Sequence, residues 1–371
     1  MAAAPREDQR LRVVDVANGV SVELDLDDTA PRRTGWASYV QVSQRRLAAN
    51  FPGVRLGLDL AFASDLPRAA GMSSSSALVT AVTTALMARG DVAARPEWQA
   101  DIRSPEDHAT YLGCIESGAG FRALAGTSGV GTHGGSEDHT AILLSEPDLL
   151  GHFRFVPTTR VARVPCPPSW TFVVATSGVH ADKAGSVRDR YNRVALGLRA
   201  LLALWNTGDG PPADSLAAAL AGPGAEARLR RLVATAPPGD WPAGMLVDRL
   251  DHFLAENAIV TSAVDACARA DAPAVGALAE ASQAQAERRL GNQVPETTAL
   301  AALARECGAH GATSFGAGFG GGVWALVDLA DAAAFALEWT RAYHRRCPQA
   351  TNVAVVPVRP GPGVLTLAAQ A

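Results

Sequence analysis

The sequence predicts an α+β protein of two domains, and three observations carry that expectation. Residues 54–62 form an apolar, partly alternating run that leads into a Pro/Gly turn and then an Ala-rich helical segment through Met87. Residues 242–308 are mostly helical in pattern, with Ala-rich faces. After them, strand-like runs at 323–329 and 352–358 flank a helical segment at 331–344, the finish expected of a second α+β unit. A chain of 371 residues is long enough for two cores. The prolines Pro165, Pro167 and Pro168 put the boundary near 165, giving an N-terminal domain 1–165 and a C-terminal domain 166–371.

The remaining elements follow from periodicity. Leu11, Val13, Val16, Val20, Val22 and Leu24 alternate around Asn18-Gly19, which reads as a β-hairpin. Trp36 to Ala48 and Glu106–Ala119 have helical spacing, and residues 151–175 hold two strand-like runs ending in Phe172-Val-Val-Ala175. Arg188 to Leu204 is amphipathic, with Tyr191, Val194, Leu198 and Leu201 near helical period. Clusters at 207–213 and Pro237-Pro238 mark loops.

Composition excludes several classes. Hydrophobic residues make up 48% and charged residues 19%, the balance of a folded globular chain. A formal net charge of −4 implies no general attraction to nucleic acid. No run approaches about 18 apolar residues, and Met1-Ala-Ala-Ala-Pro5 opens no hydrophobic signal region, so a cytoplasmic protein without a membrane partner is expected. Lys183 is the sole lysine, which rules out a Walker-type phosphate loop. Cys114, Cys166, Cys267, Cys307 and Cys347 are scattered without C-x-x-C spacing and read as reduced core thiols.

Residues 64–80 carry the most chemistry. Pro67 and Gly71 shape a small-residue loop between strand and helix, and Ser73, Ser74, Ser75 and Ser76 offer hydroxyls where the helix begins. Unpaired N–H groups and a partial positive charge make such a helix start an anion site. A Ser-rich cap ahead of an ordinary buried helix is the alternative. Two other glycine-rich segments stand out, Gly131-Thr-His-Gly-Gly135-Ser-Glu-Asp138-His139 and Phe315-Gly-Ala-Gly-Phe-Gly-Gly-Gly322. The second is a tight turn or a loop packed where side chains would collide. It lies too late, and lacks a following βαβ unit, for a dinucleotide fold. His133, Glu137, Asp138 and His139 crowd one loop, but not at metalloprotease spacing.

Together these segments resemble the galactokinase branch of the GHMP small-molecule kinases. Residues 67–76 are similar to that family's Pro-x-x-x-Gly-Leu-x-Ser-Ser-x phosphate loop, with Met72 for leucine. Residues 315–322 resemble its Gly-Gly-Gly-Phe-Gly-Gly loop with Ala317 for one glycine, and Gly135-Ser-Glu-Asp138-His139 its Gly-x-Met-Asp-Gln motif. Weaker likenesses lie at Trp36-Ala-Ser-Tyr-Val40, Thr176-Ser-Gly-Val-His180 with Tyr191-Asn-Arg193, and Val294-Pro-Glu296, so the resemblance runs from about Leu11 onward. It implies a two-domain GHMP kinase fold, with an N-terminal mixed sheet and helices and a C-terminal ferredoxin-like α+β domain. It also implies ATP and Mg²⁺, with transfer of the γ-phosphate to the anomeric hydroxyl of galactose or a related sugar. By the same resemblance Asp138 would orient or deprotonate the acceptor, and Pro67, Gly71 and Ser73–Ser76 would hold the phosphates. Ser74 or Ser75 would touch magnesium, with Glu116 or Glu137 assisting. Gly135, Gly316, Gly318, Gly320, Gly321 and Tyr191 would line the sugar site, with His180, Arg188 and Arg193 weaker candidates. A turn-capping role for Asp138 and a core role for Tyr191 are the plain alternatives.

The family's opening Gly-Arg-x-Asn-x-x-Gly-Glu-His-x-Asp segment has no counterpart here. The expectation is a start assigned too late, with a truncated inactive gene or a different role as alternatives. If Met1 is the true start, a leading strand is absent, an edge is exposed, and little sugar kinase activity is expected. Another GHMP kinase, or a non-catalytic sugar sensor, is the rival reading, and a monomer or weak homodimer is expected. His139, Ser136 and Glu137 depart from the family motif, which argues against strict galactose specificity.

Overall fold

Alternation builds the first sheet. In a computed structural model describing residues 1–25, 30–67, 71–179, 188–237 and 239–364, strands β1 (Ala2–Pro5), β2 (Leu11–Asp15), β3 (Ser21–Leu24) and β4 (Leu58–Phe62) lie in the order β1-β4-β2-β3. β2 pairs antiparallel with β3 and parallel with β4. The expected hairpin is present, with Gly19 at φ +71 in its turn. Leu11, Val13, Val22, Leu24, Leu58 and Leu60 point inward and are buried. Of the run expected as one strand over 54–62, only 58–62 pairs.

Helices α1 (Ala37–Asn50), α2 (Ser74–Arg89), α3 (Pro96–Asp101), α4 (Pro105–Ser117) and α5 (Glu137–Leu144) belong with this sheet. Val40, Leu47, Val79, Val82, Leu86, Leu112 and Ile115 share one core with its inward face. α2 begins at Ser74, four residues before the apolar pattern that signals it. Buried Arg46 on α1 donates to Asn50 Oδ1 (2.6 Å) and to the Ala119 carbonyl (2.8 Å), fixing the loop that follows α4.

The chain continues through a hairpin, β5 (Leu149–Arg154) and β6 (Thr159–Pro165), and then β7 (Trp170–Thr176), three strands where the sequence pattern gives two. Next come α6 (Arg188–Thr207), α7 (Leu216–Ala219), α8 (Ala225–Thr235), α9 (Ala243–Ala268), α10 (Ala272–Gln285) with a π-turn at Ala286–Leu290, and α11 (Pro295–Glu306). They are followed by β8 (Gly311–Phe315), β9 (Gly322–Asp328), α12 (Ala332–Arg346) and β10 (Val355–Val358). The second sheet runs β10-β7-β9-β8, each neighbour antiparallel. Its core joins Val173, Ala175, Val323 and Ala325 to Leu300, Phe335, Trp339 and Tyr343. Leu201, Trp205, Leu229, Val233, Leu246 and Leu250 fill a separate bundle of α6–α9. β8, Gly-Ala-Thr-Ser-Phe, has little strand signal of its own. It forms because it pairs with β9 and meets α10 backbone to backbone, where a Cβ on Gly276 would lie 1.8 Å from the His310 carbonyl oxygen.

The two sheets' loops meet through glycine. A Cβ on Gly71 would lie 3.0 Å from Gly322 N and 3.2 Å from Gly321 Cα, and one on Gly316 3.1 Å from Gly71 O. Gly71 also sits at φ +76. Gly71→Ala is expected to cost about 1–2 kcal/mol from the backbone alone, plus the contact with Gly322. Gly53→Ala, at φ +73 with open space around it, pays only the backbone part. Urea midpoints of the two variants should separate these contributions, Gly71→Ala falling further.

Acid should weaken the N-terminal core through His108. Burial pushes its imidazole down to about 4, and the ring stands edge-on to Trp98 with centroids 5.2 Å apart. Its folded value lies below the unfolded one, so this stability is complete above about pH 6.5 and is lost as pH falls toward 4. At about 1.4 kcal/mol per unit, the loss reaches at most ~3 kcal/mol. Urea midpoints at pH 7.5, 5.5 and 4 should show it, and His108→Leu should flatten that part of the profile.

Candidate active site

Asp138 stands not in a glycine loop but on the first turn of α5, which begins at Glu137 after the glycines end. α5 can start there because Gly113 of α4 gives it room: a Cβ on Gly113 would lie 2.9 Å from Ser136 Cα. α4 itself is sharply bounded. Ser104 accepts from Asp107 N at its start, Pro105 opens it, and Gly118 at φ +85 closes it. Glu116 therefore sits on its last turn, facing α5.

A buried hydroxyl joins these helices to α2. Ser76 Oγ donates to Glu116 Oε2 at 2.9 Å and lies 3.3 Å from Asp138 Oδ2. His139, 2% exposed, places Nε2 3.2 Å from Glu116 Oε2 without the alignment of a hydrogen bond. The first turns of α2 and α5 thus converge on one spot. Each helix start favours negative charge there, by about 0.3–1 kcal/mol per charge in exposed settings. Ser73 has φ +52 and makes no side-chain capping bond, so the Ser-rich-cap explanation of this segment finds no support at Ser73. The first N–H groups of α2 have no intrahelical partner.

These residues line a cleft of about 280 Å³, together with Thr132, His133, Gly134, Gly135, Glu137, Tyr191, Val194, Leu290, Asn292, Gly316 and Ala317. Tyr191 reaches it from α6, its hydroxyl lying where a Cβ on Gly134 would be, 2.5 Å away. Burial first, then the carboxylates of Glu116, Asp138 and Glu137, pushes its phenol above the ordinary tyrosine range. The phenol is a neutral hydrogen-bonding group at any working pH. Asn192, which the sequence does not single out, pins the neighbouring loop by accepting from His133 N (3.0 Å) and donating to the Gly131 carbonyl (2.9 Å).

The sequence-predicted residues divide into groups. Asp138, Ser76, Glu116, Tyr191, Gly135 and Gly316 come together at the cleft. Ser76 faces the carboxylates, whereas Ser73, Ser74 and Ser75 lie at the half-exposed start of α2, with Pro67 and Gly71 in the loop before it. Gly318, Gly320 and Gly321 do not line the cleft. They back onto Asn292, Val179 and Gly71 respectively, all at positive φ, so they shape the loop that presents Gly316 and Ala317. Arg188 lies beside Gly131 with Arg32, and Arg193 turns toward the helical bundle, stacking 4.9 Å from the Trp241 ring centre. His180 lies outside the described residues. Asn292 went unpredicted, since a lone asparagine after Gly291 carries no motif. Its Nδ2 donates to the Ala317 carbonyl (3.3 Å) and its carbonyl accepts from Phe319 N (2.5 Å).

Among the described residues, no group of three or more His, Cys, Asp or Glu side chains is arranged to hold a metal ion unaided. The hydroxyl and carboxylate at Ser76 and Glu116 are hard oxygen donors. They fit an ion such as Mg²⁺ that takes few protein ligands and completes its shell with water and phosphate. No described helix is long and apolar enough to cross a membrane, and all five cysteines are free thiols.

Comparison with known proteins agrees with this architecture. Residues 38–97 match the profile of the GHMP kinases N terminal domain, and residues 263–345 that of the GHMP kinases C terminal. A galactokinase of Chloroflexus aurantiacus is 29% identical over 330 residues, spanning 88% of this chain and 75% of that protein. A galactokinase of Roseiflexus sp. (strain RS-1) is 26% identical over 365 residues, 98% and 84% of the two chains. In fold, Lactococcus lactis galactokinase complexed with galactose superposes with a TM-score of 0.76 at 21% identity, over 98% of this chain and 86% of that one. Streptococcus pneumoniae phosphomevalonate kinase gives 0.55 at 14%, over 96% and 89%. With both profiles matched in order and the fold shared along nearly its whole length, the chain carries the N- and C-terminal GHMP kinase domains in one two-domain GHMP kinase fold and is galactokinase-like.

Proposed function

We propose that the chain is an ATP- and Mg²⁺-dependent sugar kinase, transferring the γ-phosphate to the anomeric hydroxyl of galactose or a closely related sugar. The observation that carries this reading is the meeting of Ser76, Glu116 and Asp138 at the converging starts of α2 and α5, beside a cleft sized for a small ligand. Phosphoryl transfer needs alignment and charge stabilisation more than covalent chemistry. The open first turn of α2 supplies backbone donors for nucleotide phosphates, and Ser73–Ser75 add hydroxyls.

In this reading Glu116, with a hydroxyl of Ser75 or Ser76, holds magnesium, which when bound neutralises charge on the phosphates. Asp138 accepts a hydrogen bond from the acceptor hydroxyl and holds its proton as the oxygen attacks. Tyr191, kept neutral, and the backbone of Gly134 and Gly135 bound the acceptor. Three carboxylates around the cleft favour a neutral polyol over an acidic sugar. His139, in place of the family's glutamine, lines the cleft but is 2% exposed and packed against Glu116. Sugar choice then rests on Tyr191, Asn292 and the loop at 132–135.

ADP release should be measured over a panel of hexoses, with the product identified by ³¹P NMR. Turnover on galactose or a neighbour, giving a sugar 1-phosphate, is expected. Asp138→Asn should lower kcat by about 10²–10⁴-fold with little change in melting temperature. Sugar binding without turnover would make the chain a sensor, and full activity in Asp138→Asn would remove the proposed base.

A further inference from the structure

The inner wall of the cleft hangs from a buried cation that is not itself part of the lining. Arg249 of α9 is 6% exposed. Its Nη1 donates to the carbonyl of Arg289 at 2.7 Å and its Nη2 to that of Leu290 at 3.1 Å. These are the last carbonyls of the π-turn, which a helical segment leaves without intrahelical partners. Among the described residues no carboxylate pairs with this guanidinium. Its charge is met by the negative end of the turn instead, and burial lowers its affinity for the proton. Two residues further along α9, Asp251 pairs with the side chain of the same Arg289. α9 therefore grips Arg289 by main chain and side chain at once.

The grip has consequences on both sides. Leu290 lines the cleft, and Gly291 at φ +61 turns the chain so that Asn292 lines it too. Asn292 in turn holds Ala317 and Phe319 of the glycine loop. On the other side Arg249 packs on α6, where a Cβ on Gly197 would lie 3.2 Å from Arg249 Cγ. α6 carries Tyr191 and Val194 into the same cleft. A nonpolar side chain would fill the volume but leave those two half-buried carbonyls without this donor, and π-turns of this kind recur where proteins build sites.

We propose that Arg249 is a positioning residue for the acceptor: it fixes the π-turn, and through it Leu290 and Asn292, at the distance from Tyr191 that the acceptor requires. This rests on reading the cleft as the acceptor site. Lysine keeps the stem and charge but cannot serve both carbonyls in a fork. Methionine keeps volume only.

The test uses the full chain with Arg249→Met and Arg249→Lys. Hydrogen exchange without ligand should show faster exchange at 290–293 and at Phe319 in Arg249→Met. In turnover with the best hexose, the acceptor KM should rise at least fivefold in Arg249→Met and less in Arg249→Lys, while the ATP KM stays within twofold. A lowered melting temperature with unchanged acceptor KM and unchanged exchange at 290–293 would overturn the proposal. If Arg249→Met does not fold, an unchanged acceptor KM in Arg249→Lys overturns it equally. If the wild type turns over no hexose, the kinase reading fails alone, and exchange at 290–293 and Phe319 decides whether Arg249 fixes that wall.

Discussion

Two carboxylates on two helices meet one buried hydroxyl on a third, and the rest of the site follows from holding them together. Ser76 Oγ lies 2.9 Å from Glu116 Oε2 and 3.3 Å from Asp138 Oδ2. Ser76 and His139 are each 2% exposed, while both carboxylates stay half-buried at the wall of the cleft. The two like charges repel across the hydroxyl they meet. A fold that holds them together must offset it, and here the starts of α2 and α5 aim their positive ends at the same place. Gly113, the caps of α4 and the buried Arg46 serve that convergence by fixing how closely α4, α5 and the loop after α4 can lie.

The second half of the molecule supplies surfaces rather than charges. Its glycine loop approaches Gly71 so closely that neither side tolerates a Cβ without a shift. That contact places the wall made by Gly316, Ala317 and Asn292 against the loop that leads into α2. Glycine is needed twice over, for positive φ and for contact, so the loop behaves as a rigid backbone surface. Asn292 ties it to the π-turn, and the cleft is bounded by elements that hydrogen bonds hold to one another.

Much of this was legible in the sequence because it lies in short, local patterns. The hairpin at 11–24, the helix from Arg188 and the closing strand–helix–strand are carried by periodicity and emerge as β2–β3, α6 and β9–α12–β10. The serines and glycines announce themselves by composition. What composition cannot carry is direction. Gly318, Gly320 and Gly321 share the composition of Gly316, yet they turn to Asn292, Val179 and Gly71 rather than into the cleft. The start of α5 at Glu137 was hidden because Ser136 offers a capping residue that makes no cap, its hydroxyl going to Thr158 instead. β8 and Asn292 escaped because their roles depend on partners far away in the chain.

The helix that carries Asp138 is also held at its far end, and by the other half of the protein. Beyond β10, Arg359 pairs with Asp148 at 2.7 Å, and the chain then crosses to α5. There Val364 N donates to the Ile142 carbonyl (2.8 Å) and Gly363 N to that of Ser145 (2.7 Å), partners that the end of a helix would otherwise lack. Gly363 lies so close that a Cβ would sit 2.4 Å from the Leu143 carbonyl oxygen. α5 is only eight residues long, too short to be stable by its own hydrogen bonds. Its first turn is positioned by Gly113 and Ser76 from the N-terminal elements, and its last turn by a strand's extension from the second sheet. The extension from the second sheet therefore bears on Asp138 through α5. The facing wall of the cleft is held by the same half of the protein through Asn292, so the carboxylate and the surface it faces are referred to one another by the fold itself.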